Sequence, residues 1–214
     1  MKKRILLVDD HPLIRKGIAL TLEEEPTFEV CCQLSSGEEA LEQIHQLNPD
    51  AAVIDVSLPG MNGIELIKHL KNAKPNMSIL IVSRHDEELY AERAIRAGAN
   101  GYIMKQEAGE VLVKGLHKIL KGGIFVSDVI NERMLQNMMN NRRTSEQSPI
   151  ELLSDRELEV FEHIGRGLST KEIAERMHVS TKTIETYKAR IKDKMGLESN
   201  HDVTRMAIQW VEEV

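Results

Sequence analysis

Apolar residues fall into two alternating rhythms over the first 125 positions. Short continuous runs are of the kind strands show when buried on both faces: KRILLV from Lys3, FEVCCQL from Phe28, AAVIDV from Ala51, SILIVS from Ser78 and GYIM from Gly101. Between them, LIRKGIALTLEEE, GEEALEQIHQL, GIELIKHLKNA and DEELYAERAIRAG place apolar positions three or four apart, which is the helical period, and GEVLVKGLHKILKG closes the series. Strand–helix alternation repeated five times predicts an α/β domain over residues 1–125. Its form would be a doubly wound, five-stranded parallel sheet of flavodoxin-like order 2-1-3-4-5, with helices on both faces.

The rhythm then changes. VINERMLQNMMNN predicts a helix with Met134, Leu135 and Met138 as a small apolar face, and NRRTSEQSP reads as a polar linker, so residues 126–149 form a connection. From 150 to 214 strand signals are lacking, and helix starts are clear. SDRE at Ser154 and STKE at Ser169 both fit the capping box, Ser180 caps a third helix, and a fourth runs from about Ser199 to Trp210. A small all-α, four-helix domain follows.

Composition narrows the class. The chain is 41% hydrophobic and 29% charged, the balance of a globular protein. There is no window of eighteen consecutive apolar residues, and the apolar stretch after MKKR is cut short by two acids. Neither a membrane span nor a signal peptide is expected. Cys31 and Cys32 are adjacent in a strand-like run, which suits packing in a reducing cytoplasm better than a disulfide or a metal site.

The candidate chemistry lies at the ends of the strands. Asp9 and Asp10 end the first and Asp55 ends the third. In order 2-1-3-4-5 these strands are neighbours at the topological switch point, where such sheets bind ligands. Three carboxylates in one crevice call for a cation, and hard oxygen donors suit Mg²⁺. The fourth strand ends in Ser83 and the fifth in Lys105. Together these groups meet the needs of an aspartyl-phosphate site: a carboxylate nucleophile, positive charge for the phosphoryl oxygens and a hydroxyl. Singly, Asp9-Asp10 would fit a helix cap and Asp55 a turn; four strand ends in register outweigh those readings.

LLVDDHP, IDVSLPGMNG, VSRH and AGANGYIMK resemble the response-regulator receiver domain over about residues 1–123. The resemblance implies that Asp55 is the phosphorylated residue. It also implies that Asp9, Asp10, Asp55 and the backbone carbonyl of Ser57 hold Mg²⁺, Asp10 directly and Asp9 through water. Ser83 and Tyr102 are then a switch pair, with Tyr102 turning inward on phosphorylation, and Lys105 binds the phosphate. Ser83 stands where threonine is common, and Gln106 where proline is common. A phosphatase with an aspartate nucleophile would place a second acid where Ser57 stands. A nucleotide-binding α/β protein would want glycines where DDHPLIRKG supplies acids.

The second candidate is a helix after a turn. Ile184, Tyr187, Ile191 and Met195 make one apolar stripe. That leaves Lys182, Glu185, Thr186, Ala189 and Arg190 opposite, flanked by Lys188 and Lys192, with Thr181 and Thr183 at the start. Residues 181–195 carry +3 in a chain of net −6, the local basic element of a DNA-reading helix. LSDRELEV, GLSTKEIA, VSTKTIETYKARI and KMG are similar to the LuxR/NarL-type helix-turn-helix. Both resemblances, in this order, imply a cytoplasmic two-component response regulator of the NarL/FixJ type. Its partners would be a histidine kinase, promoter DNA and a second copy of itself. It would be a phospho-acceptor supporting Mg²⁺-dependent transfer and slow dephosphorylation rather than an enzyme. Action without phosphorylation, or in heterodimers, would use the same architecture.

Overall fold

The computed structural model describes residues 1–139 and 149–213. Two compact units are present, Met1–Asn140 and Asn141–Val214. In the first, strands β1 (Lys3–Val8), β2 (Phe28–Leu34), β3 (Ala51–Ile54), β4 (Ser78–Ser83) and β5 (Gly101–Met104) form one parallel sheet in the order β2-β1-β3-β4-β5. Helices α1 (Pro12–Glu23), α2 (Gly37–Leu47), α3 (Gly63–Ala73), α4 (Glu87–Ala97) and α5 (Ala108–Leu120) make the crossovers.

Continuous apolar strands work here because side chains alternate between two covered faces. Ile5, Leu7, Val53, Leu80, Val82 and Ile103 meet Ile18 and Leu22 of α1 and Leu112, Leu116 and Ile119 of α5. Leu6, Ile54, Ile79 and Ile81 alternate with them and are equally buried on the other face, where α2, α3 and α4 pack in succession. Strand β3 ends before the apolar run does. The Asp55 N–H still bonds the Val8 carbonyl at 2.9 Å, but the Val56 carbonyl accepts from Leu58 and Gly63, turning the chain out of the ladder. A Cβ on Gly63 would collide with the Asp55 carbonyl, so the tight return beneath Asp55 requires glycine.

The connection also has structure. Phe125 lies beside β5: its carbonyl accepts from the Tyr102 N–H at 2.8 Å, and its N–H donates to the Asn100 carbonyl at 2.9 Å. A further helix, α6 (Asp128–Met139), packs on α4. Among the described side chains of this helix Ile130 is buried, Met134 is half-buried and Leu135 is exposed. Arg133 reaches the Glu88 carbonyl at 3.4 Å and its carboxylate at 3.7 Å. The side chain of Met138 and the linker residues 140–148 lie outside the described residues.

The second unit contains α7 (Asp155–Gly165), α8 (Thr170–Arg176), α9 (Thr181–Lys194) and α10 (Asn200–Glu213). Both capping boxes form, Ser154 with Glu157 and Ser169 with Glu172, and Ser180 accepts from the Thr183 N–H at 3.1 Å. Leu158, Phe161, Ile173, Ile184, Ile191, Val203 and Ala207 make the core. Glu157 is buried among them. Burial raises its pKa, but the Lys194 ammonium at 2.6 Å and the Ser154 cap outweigh this and hold it below the usual carboxylate range.

Candidate functional site: a carboxylate pocket and a basic helix

The carboxyl ends of β1, β3 and β5 bring four charged side chains together. Asp9 and Asp55 are each 3% exposed, and Asp10 is half-buried. Lys105 Nζ lies 2.6 Å from Asp55 Oδ2 and 2.8 Å from Asp9 Oδ2, bridging the two. This answers part of the repulsion between the buried acids. Burial is the main force raising the Asp55 pKa, Lys105 opposes it and Asp9 adds to it.

His11 is the N-cap of α1 and borders the same cluster. Its Nδ1 is 2.6 Å from Asp10, 3.3 Å from Asp9 and 3.9 Å from Asp55, and its backbone N–H donates to Asp9 Oδ1 at 2.8 Å. One ligand atom from each of Asp9, Asp10, His11 and Asp55 lies within 4.8 Å of all the others. Asp55 Oδ1 is buried and makes no hydrogen bond. An orphaned carboxylate oxygen beside two further carboxylates is costly as it stands and fits a hard divalent cation.

Ser83 is fully buried at the end of β4 and Tyr102 is 2% exposed in β5. The inward placement of Tyr102, expected on phosphorylation, is the one seen here, with its hydroxyl donating to the His85 carbonyl at 2.8 Å. Ser57 is half-buried, and its side chain lies 2.6 Å from His85 Nε2. His85 follows β4, two residues after Ser83. It is 4% exposed and stacks on Tyr90, with ring centroids 4.4 Å apart. A histidine between a strand and a helix carries no periodic signal, so only its offset of two from Ser83 could have singled it out.

In the second unit Ile184 and Ile191 of α9 are buried, with Tyr187 and Met195 half-buried along the same stripe. Thr181, Lys182, Glu185, Thr186, Ala189 and Arg190 are exposed, whereas Thr183 turns back to the Ser180 cap. Lys188 is not fully outward: it bonds Thr170 at the start of α8 and lies 3.4 Å from Glu185, which accepts from Thr170 at 3.0 Å. Lys192 is half-buried at 3.9 Å from Asp193.

Residues 5–117 match the response regulator receiver domain, and residues 151–207 match the luxR family of bacterial regulatory proteins. The chain belongs to the response-regulator family. It is 31% identical over 210 residues to the oxygen regulatory protein NreC of Staphylococcus carnosus, covering 96% of this chain and 97% of that one. A two-component response regulator of the LuxR family from Aurantimonas sp. is 32% identical, with a TM-score of 0.60 over 65% of this chain and 99% of its own. RcsB, solved as two dimers bound to two parallel DNAs, is 25% identical, with a TM-score of 0.59 over 96% and 97% of the chains. This response regulator is therefore a DNA-binding transcriptional regulator rather than a conventional enzyme, its carboxylate pocket on the receiver and its basic helix on the LuxR-type domain.

Proposed function

We propose that Asp55 accepts a phosphoryl group from a partner histidine kinase and that the acylphosphate alters dimerisation and promoter binding. One observation carries this reading: Lys105 holds Asp55 Oδ2, while Oδ1 is left without a partner. Oδ1 is then the nucleophile. Its bond to phosphorus forms as the phosphorus–nitrogen bond of the kinase phosphohistidine breaks, and the kinase histidine leaves. Asp9, Asp10, Asp55 and the Ser57 carbonyl would hold Mg²⁺, which when bound neutralises charge on the phosphoryl oxygens. Lys105 and Ser83 hold the transferred group, Lys105 by charge and Ser83 by its hydroxyl. Slow hydrolysis of the acylphosphate by water releases inorganic phosphate and returns the carboxylate.

The added charge, about −1.5 to −2 at neutral pH, favours the state in which Ser83 and Lys105 close on the phosphate. The α4–β5 surface changes with them, a homodimer forms in the cytoplasm, and α9 enters the major groove of each half-site. Thr181, Lys182, Thr183, Glu185, Thr186, Lys188, Ala189, Arg190 and Lys192 are the proposed DNA contacts. Exposed Lys182 and Arg190 suit phosphates best, whereas Lys188 approaches DNA alongside Glu185. The test adds Mg²⁺ and a small phospho-donor, then follows intact mass, oligomeric state and promoter binding. No phosphoryl mass on Asp55, or no change in association once it is present, overturns the reading. The inward Tyr102 favours a second reading, action without phosphorylation; full regulation by Asp55→Asn would establish that one instead.

A further inference from the structure

His85 is tied to several parts of the receiver at once. Its Nε2 meets the Ser57 hydroxyl at 2.6 Å, on the loop that leaves Asp55. Its backbone N–H donates to Ser83 Oγ at 3.2 Å, and its carbonyl accepts from Tyr102 at 2.8 Å. Its ring lies against Tyr90 of α4, at an interplanar angle of 31°. Four elements thus converge on one buried residue: the β3–α3 loop, the end of β4, β5 and α4.

We propose that His85 is a positioning residue that carries the state of the Asp55 site to the α4–β5 face. The inference rests on the phospho-acceptor reading above and adds a third member to the expected pair of Ser83 and Tyr102. A packed interior transmits small shifts because its parts have few alternative arrangements. If Ser83 Oγ turns to a phosphoryl oxygen, it withdraws the acceptor from the His85 N–H. The backbone at 83–85 is then free to move, and the Tyr102 hydroxyl bonded to that backbone moves with it. The imidazole fixes the other end of the lever. Its bond to Ser57 registers the loop beside Asp55, and its stacking on Tyr90 registers α4. The same strand is continuous with the connection, because the Tyr102 N–H bonds the Phe125 carbonyl and α4 carries Arg133 of α6 at Glu88.

The experiment compares the full-length protein with His85→Leu, His85→Gln and Ser57→Ala, each with Mg²⁺ alone and with beryllofluoride. Fluoride or mass stoichiometry reads site occupancy, and sedimentation reads the dimer dissociation constant. His85→Leu is expected to bind beryllofluoride in full while losing at least tenfold of the tightening of the dimer. His85→Gln, which keeps a polar group near Nε2, should recover most of it, and Ser57→Ala should lose part. A purely structural role would lower the melting temperature yet leave the ratio of the two dimer constants unchanged, and that result overturns the proposal. Should His85→Leu not fold, Ser57→Ala decides: a wild-type ratio overturns the proposal and a reduced ratio supports it. Absence of tightening in the wild-type protein itself would instead overturn the phospho-acceptor reading.

Discussion

The two candidate sites use charge in opposite ways. In the receiver pocket Asp9, Asp55 and Lys105 are nearly sealed from water, so each charge depends on its neighbours. On α9, Lys182, Glu185 and Arg190 face solvent and cost the fold little. Buried charges interact strongly and are destabilised when a partner is lost, whereas exposed ones are screened and matter mainly to the next molecule they meet. The receiver pocket therefore spends stability on chemistry, and the outer face of α9 keeps the two apart.

Substitutions can break that contrast, and the first is absolute. Asp55→Asn should abolish phosphoryl uptake, read as a missing mass increment, because an amide oxygen is a poor nucleophile. Lys105→Met leaves Asp9 and Asp55 buried without their shared cation, and urea denaturation at neutral pH should show a loss of about 3–5 kcal/mol. The metal offers a reversible probe of the same pocket. Mg²⁺ at a hundred times its dissociation constant should stabilise the protein by about 2.7 kcal/mol, chelation should reverse the gain, and Asp10→Ala should diminish it.

The second unit also buries acids, Glu157, Glu159 and Glu162, and Glu157, which has both a cap and a salt bridge, sharpens the comparison. Glu157→Ala should cost about 1–2 kcal/mol at neutral pH. Its folded pKa lies below its unfolded value, so its contribution is complete above the unfolded value and is lost as the pH falls through the folded one. The penalty of the substitution should fade over that acid range. The smallest effect on stability is expected for Arg190→Ala, within about 0.5 kcal/mol. Promoter affinity should nevertheless fall, and the slope of log affinity against log salt should flatten by about 1, the loss of one phosphate contact.

Much of this was legible in the residues. The runs KRILLV, FEVCCQL, SILIVS and GYIM coincide with β1, β2, β4 and β5; two covered faces leave a continuous apolar signature in the inner strands, whereas the edge strand β2 exposes Glu29 and Gln33. AAVIDV overran β3, because Asp55 and Val56 leave the ladder for a turn whose signal, Gly63, lies further on. Capping boxes were readable because their partners are three residues apart. Contacts over longer separations were not. The pairing of Lys188 with Thr170 spans two helices, and the burial of His85 depends on Ser57, Tyr90 and Tyr102 from three different elements.

The sequence alone determined the alternation of strands and helices, the position of the acids at strand ends and the basic character of α9, because periodicity and residue type are local properties of the chain. Tertiary structure decided which charges share a bond. It placed Lys105 between Asp9 and Asp55, left Asp55 Oδ1 unpaired and set His11 against the acids. It also buried His85 between Ser57, Tyr90 and Tyr102. Such pairings depend on distances of a few ångströms between segments far apart in sequence, and only the packed sheet and its helices fix those.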